Sequence, residues 1–228
     1  MLFGISETYT YWALDLICLS GPLLLSFDRK VAYYKKWGVW LLATLPVSLF
    51  YLLWDIAFTE IGVWSFNPTY LMGFEWYKLP LEEYLFFLVV PYASVFIYEC
   101  LIQYFPATTE NKDGDAAIWF VMAAAAGLVS FWNFLNLYTS ITFALLAICL
   151  VALRYSRVSI RAFFFSWGIC LIPMALMNGV LTALPVVIYN NNENLAIRLG
   201  SIPIEDFFYH MLYLGAILGL YERQLKRY

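Results

Sequence analysis

The sequence predicts an all-α membrane protein of seven transmembrane helices, built as two parallel three-helix repeats joined by a connecting helix. Three observations lead there. The 228 residues are 63% hydrophobic and 13% charged, with a mean hydropathy of +0.73, where a soluble domain carries roughly 25% charged residues. Seven apolar stretches come near the about 20 residues that a helix needs to cross the hydrocarbon core. Several rare polar residues also recur at a shift of 123 positions.

The spans are expected at roughly 8–27, 37–58, 80–102, 116–133, 136–153, 162–183 and 203–222. The first follows a start with no basic residue before Arg29, so it lacks the charged n-region of a cleaved signal and is expected to stay as a helix. The fourth and fifth share one long apolar stretch, divided where NFLNLYTS (133–140) is read as a turn. The basic residues support that division. With the N-terminus outside, eleven of thirteen fall inside: Arg29, Lys30, Lys35, Lys36, Lys112, Arg154, Arg157, Arg161, Arg223, Lys226 and Arg227; only Lys78 and Arg198 fall outside. That is the positive-inside bias. The expectation is therefore an integral protein of the cell (inner) membrane with a cytoplasmic C-terminus. PATTENKDGD (106–115) reads as a linker between halves. Cys18, Cys100, Cys149 and Cys170 lack CxxC spacing and read as small core residues, with no metal site.

At the shift of 123, Asp55 falls on Asn178, Asn67 on Asn190, Pro80 on Pro203, Glu82 on Glu205 and Glu83 on Asp206; Tyr98 and Glu99 fall on Tyr221 and Glu222. The first three and last three helices then form two copies, 1–105 and 136–228, with 106–135 holding the linker and connecting helix. One odd connector gives both copies the same orientation, so the symmetry axis is expected along the membrane normal.

LPLEE (79–83) and IPIED (202–206) place two adjacent acids behind a proline in each copy. Capping alone could account for one of them, because proline suits a helix start and acids complement the helix dipole by about 0.3–1 kcal/mol. Two acids in both copies point further. Neighbours on a helix diverge by about 100°, so one of each pair is expected to face the bundle and the other the headgroups. Glu82, Glu83, Glu205 and Asp206 are the candidate catalytic groups. Carboxyls that converge in a poorly solvated site cannot all ionise cheaply. One kept protonated near neutral pH is a general acid, and an ionised neighbour is a general base.

Asp55 and Asn178 lie within spans and are candidate substrate-side or interhelical groups. His210, the only histidine, stands four residues after Asp206 and is expected to partner it. Glu99 and Glu222 read as interfacial. Trp64, Phe66, Tyr84 and Phe207 crowd the acids, and ring faces stabilise a desolvated cation by about 0.5–2 kcal/mol each. Acids beside an aromatic wall suit carbocation chemistry. No dinucleotide fingerprint follows a strand pattern, no DDxxD-type run is present, and the last span has no lysine for a Schiff base.

GVWSFNPTYLMGF (62–74), LPLEEYLFF (79–87) and SIPIEDFFYH (201–210) resemble the small integral-membrane carotenoid cyclases of the heterodimeric lycopene cyclase type. In that family two short polypeptides, or one chain fusing them, carry a Pro-x-Glu-Glu/Asp motif in each half; this chain resembles the fused form over about residues 2–225. The resemblance implies cyclisation of the open ends of lycopene to β-ionone rings, giving β-carotene by a redox-neutral acid–base route. It implies no bound cofactor, since the flavin-binding type of lycopene cyclase uses a dinucleotide fold. It makes lycopene and membrane lipid the partners, with other carotenoid-pathway enzymes or a second copy as further candidates and no nucleic acid. Asn67 matches the family's FNP position, which implies a substrate-side or a loop-structuring role. The second copy departs from the pattern, with YNNNEN in place of WSFNP and Asp206 in place of a glutamate.

Two alternatives stay open at this level. One is a cyclase acting on a longer C50-type carotenoid or making ε or γ rings. The other is a proton-coupled transporter or binding protein.

Overall fold

A computed structural model describes residues 7–109 and 114–225. Lys112, Lys226 and Arg227 of the inner basic set, and the middle of the linker, lie outside the described residues. Seven long helices dominate: α1 (Thr10–Leu25), α2 (Trp37–Glu60), α3 (Leu81–Tyr104), α4 (Asp115–Trp132), α5 (Leu137–Arg154), α6 (Ile160–Ala183) and α7 (Ile204–Leu225). The expected spans agree with these to within a few residues, including the turn between α4 and α5. Five of them, α2 to α6, are long and apolar enough to cross a membrane. α1 has 16 residues, which at 1.5 Å each gives about 24 Å. α7 opens on two acids and ends on Glu222 and Arg223.

Large apolar side chains such as Leu24, Leu53, Phe131, Ile148 and Leu176 stand outward on the helices. A soluble monomer does not leave so much apolar surface uncovered; a lipid-facing surface does. The buried interior is aromatic instead, centred on Tyr51, Phe87 and Tyr213, with the Tyr51 and Tyr213 rings 4.2 Å apart.

Packing fixes which helices share the centre. α1 lies along α3 and α5 along α7, while α2 packs on α7 and α6 on α3. α4 rests on α5 and is otherwise peripheral, save that its Trp119 ring lies 5.5 Å from that of Phe163 on α6. Gly215 lets α7 approach α5 closely: a Cβ there would meet Cys149 Sγ at 3.0 Å.

Short strands close one end. β1 (Trp64–Phe66) pairs antiparallel with β4 (Val187–Tyr189), with Ser65 opposite Ile188. β2 (Glu75–Trp76) pairs with β3 (Leu79–Pro80), and β5 (Arg198–Leu199) with β6 (Ile202–Pro203). Each of these two hairpins ends on the proline that precedes a paired-acid helix. Left-handed backbone occurs at Gly73 (φ 83°) and Ala196 (φ 55°), and at Tyr77 (φ 46°) and Gly200 (φ 65°).

Candidate active site

The hairpins determine where the acids begin. Pro80 is held extended at the end of β3, and its fixed φ leads directly into α3. This puts Glu82 and Glu83 in the first turn of α3, as Glu205 and Asp206 are in α7. All four carboxyls are buried. The expectation that one of each pair would face the headgroups does not hold. Glu82 Oε1 accepts the Met72 backbone N–H at 2.8 Å, and Glu205 Oε1 accepts that of Leu195 at 2.8 Å. Glu205 also accepts the Thr139 hydroxyl at 2.6 Å. The preceding loop folds over each helix start, and the first acid of each pair satisfies a loop amide that would otherwise be buried without a partner.

The second acids turn inward. Glu83 accepts the Tyr11 phenol at 2.5 Å. Asp206 accepts the Tyr138 phenol at 2.6 Å, the Asn178 amide at 2.5 Å and the Tyr189 phenol at 3.0 Å. Three donors complement a carboxylate. Burial first, and then the charge of Asp206, hold the Tyr189 phenol well above the usual tyrosine range, so it stays a donor. Asp55 Oδ1 accepts Trp64 Nε1 at 2.5 Å. Its Oδ2 has no hydrogen-bond donor among the described residues, and Asp55 and Glu83 line the same cavity. Two ionised carboxylates cannot hydrogen-bond; Asp55 and Glu83 can do so by sharing one proton.

These groups line one cavity, with about 930 Å³ of empty space including its mouth. Of the residues expected from sequence, Glu83, Asp206, Asp55, Asn178, Trp64, Phe66 and His210 line it. Glu82 and Glu205 stand behind them. Asn67 instead caps the short helical turn after β1 through Thr69 N at 3.1 Å. Tyr84 donates to the Trp76 carbonyl, and the Phe207 carbonyl accepts from Trp167; neither side chain lines the cavity. His210 does not reach Asp206: Nε2 meets Ser94 Oγ at 3.1 Å, deeper in the cavity, and Nδ1 has no partner among the described residues. The rest of the wall is apolar, supplied largely by α3 and α6, as with Val90, Ala93, Met174 and Met177.

Sequence reasoning missed Tyr11 and Tyr138, the phenols on the two inward acids. They lie 127 residues apart rather than 123, because the turn before α5 shifts the register, so a gapless comparison of the halves passes over them. Tyr189, also in the wall, was hidden among 18 tyrosines.

A family model described as Lycopene cyclase matches residues 8–101 and again 135–223. The chain belongs to the lycopene cyclase family. The two matched stretches carry one paired-acid helix each, as expected of two heterodimeric-type units fused in one chain. No curated protein and no solved structure matches it. Lycopene cyclase membership makes the chain an enzyme of carotenoid cyclisation with a lipophilic carotenoid substrate.

Proposed function

We propose that this lycopene cyclase converts the open ends of lycopene into β-ionone rings, giving β-carotene through a one-ring intermediate. The observation that carries the reading is that Glu83 of one half and Asp206 of the other line the same apolar cavity in different hydrogen-bonding states. The Asp55–Glu83 pair holds a proton, and Glu83 delivers it to the terminal double bond of the polyene. The tertiary cation formed is attacked by the neighbouring double bond, closing the six-membered ring. Asp206, held as a carboxylate by three donors, removes a ring proton and leaves the new double bond. Bonds and electrons balance without an oxidant, so the reaction is an isomerisation of the intramolecular lyase type. The rings of Trp64 and Tyr209 stand in the cavity wall where the cation forms. The cycle closes when the proton on Asp206 passes back to the acid pair. Glu82 and Glu205 act as positioning residues, fixing the loops over the site.

The same reading includes seven membrane spans, an outer N-terminus, a cytoplasmic C-terminus and two repeats, 1–105 and 136–228, around a connector at 106–135. Shifted by 123, the bounds of α2 become those of α6, β1 falls on β4, and the hairpin β2–β3 falls on β5–β6. Met72 likewise falls on Leu195, each the backbone donor to its own glutamate. These coincidences support the repeat, and the mixed set of acids accounts for why the halves have diverged at Asp55 and Asn178.

The test is expression in lycopene-accumulating cells followed by chromatography of the pigments. The parent chain is expected to yield β-carotene, while Glu83→Gln, present in the membrane at equal amount, leaves lycopene unchanged. Undiminished β-carotene from Glu83→Gln would overturn the acid assignment; ε rings would overturn the ring type.

A further inference from the structure

The repeat supplies two places for a polyene, and only one is open. The cavity runs beside α3 from Glu83 to Ile97, about 21 Å at 1.5 Å per residue. On α6 its wall is Met174, Met177 and Leu181, flexible or aliphatic side chains. The positions 123 residues earlier on α2 are Tyr51, Trp54 and Phe58. All three are buried, and they fill the corresponding space between α2, α3 and α7. Tyr51 lies 4.8 Å from the Tyr209 ring and 4.2 Å from Tyr213, and Trp54 lies 5.0 Å from Tyr209. The aromatic block on α2 therefore occupies the second channel and packs behind Tyr209 and Tyr213, which line the first.

We infer that the chain has a single polyene channel, that Met174 and Met177 keep it open, and that the two ends of the substrate are cyclised in it one at a time, with the one-ring intermediate released to the bilayer in between. This rests on the cyclase reading above. An all-trans polyene is a rod with its two reactive ends at opposite extremes, so only one end reaches Glu83 and Asp206 in any one binding event. A rod cannot turn end for end in a channel one polyene wide between packed helices. It has to leave sideways and return with its other end first. The seam between α1 and α6, which touch only lightly while each packs closely on α3, is the exit we assign.

Two measurements test this. Membranes holding the chain are given isotope-labelled lycopene, and excess unlabelled one-ring carotenoid is added part-way. Release between rounds predicts that labelled one-ring product exceeds the amount of enzyme before β-carotene rises, and that the chase lowers label in β-carotene at least fivefold. Label passing into β-carotene regardless of the chase overturns the single-channel inference but keeps the cyclase; no ring product of any kind removes both. In the inactive Glu83→Gln chain, purified with lycopene, bound polyene is expected at one per chain, and two per chain overturns the inference. Met174→Trp should cut bound lycopene at least tenfold, whereas Ile172→Trp, on the outward side of the same helix where Ile172 is 65% exposed, should retain it. Equal retention by both overturns the role of Met174.

Discussion

Asn178 on α6 donates its amide to Asp206 on α7 across 2.5 Å, from the position that Asp55 holds on α2. Had the copies stayed identical, an acid would face Asp206, and each half would hold an acid pair. The amide donates where a second acid would compete for a proton, so on the proposed mechanism one half gives a proton and the other takes one. Asn178→Asp should therefore lower ring formation about 10- to 100-fold, since a hydrogen bond to a charged group is worth about 1.5–3 kcal/mol. Initial rates of cyclic carotenoid formation in isolated membranes check this. A rate within twofold of the parent would remove the asymmetry from the mechanism.

Glu82 and Glu83 are neighbours with different partners, Met72 N–H and the Tyr11 phenol, and on the proposed mechanism glutamine separates their tasks. In Glu82→Gln the side-chain oxygen can still accept from Met72 N–H, so the loop remains held and activity is expected within about fivefold of the parent. In Glu82→Ala that buried amide loses its partner at a cost of about 1–3 kcal/mol, and the thermal midpoint in detergent should drop. Thermal unfolding of both variants, beside their rates, reads the distinction directly. Complete inactivity of a stably folded Glu82→Gln would return this residue to the chemistry.

Tyr189 gives a pH prediction. Its phenol is held well above the ordinary range by burial and by Asp206, so the neutral donor form persists throughout the working pH range. Tyr189→Phe is expected to lower the rate about 5- to 20-fold at every pH between 6 and 9 and to leave the shape of the profile unchanged, since one donor of three is lost. The sign for stability follows from the same shift. Unfolded tyrosine ionises near pH 10 while the folded phenol does not, so stability is retained below about pH 10 and falls as pH rises beyond it. A rate profile whose alkaline limb moves in Tyr189→Phe would contradict this.

Opposite the active site, Glu99 is buried, ion-paired with Lys36 at 2.5 Å and accepting the Tyr221 phenol at 2.6 Å; Tyr98 donates to Glu222 at 2.8 Å. The tyrosine of each half thus bonds the glutamate of the other. Glu99, read from sequence as interfacial and not catalytic, has Lys36 brought over it by the start of α2. Lys36→Met leaves that carboxylate buried without its cation and should destabilise the fold by about 3 kcal/mol, in line with other broken buried pairs. The thermal midpoint should fall, while the rate per folded molecule stays within twofold. An unchanged midpoint would show that the pair adds nothing to stability.

The helices were legible because lipid imposes a simple rule of length and apolarity, and the first-turn acids stood out because charge is rare in such a sequence. Partners were harder to read. His210 lies one helical turn from Asp206, yet α3 places Ser94 against it and Tyr138 and Tyr189 take the aspartate. Spacing along one helix says which residues share a face, not which neighbouring helix supplies a closer group. Tyr84 and Phe207 were drawn in by sequence proximity to the acids, while the helix turns them away from the cavity. Glu82 and Glu205 could not be told from Glu83 and Asp206, because the loops that claim them return from ten residues upstream.

The orientation rests on the basic residues and has its own test. Lys78 lies in the β2–β3 hairpin beside the active-site end, where it pairs with Glu60 at 2.7 Å on the surface. Arg157 lies between α5 and α6 at the other end. With the four native cysteines replaced by alanine, Lys78→Cys should react with a membrane-impermeant maleimide in intact cells, and Arg157→Cys only after the membrane is opened. The exposed pair at Lys78 contributes little to stability, so its loss should not disturb insertion. The active site would then sit near the outer face, with the polyene reaching it through the bilayer rather than from the cytoplasm. Labelling of Arg157→Cys but not Lys78→Cys in intact cells would invert the topology and move the acids to the cytoplasmic side.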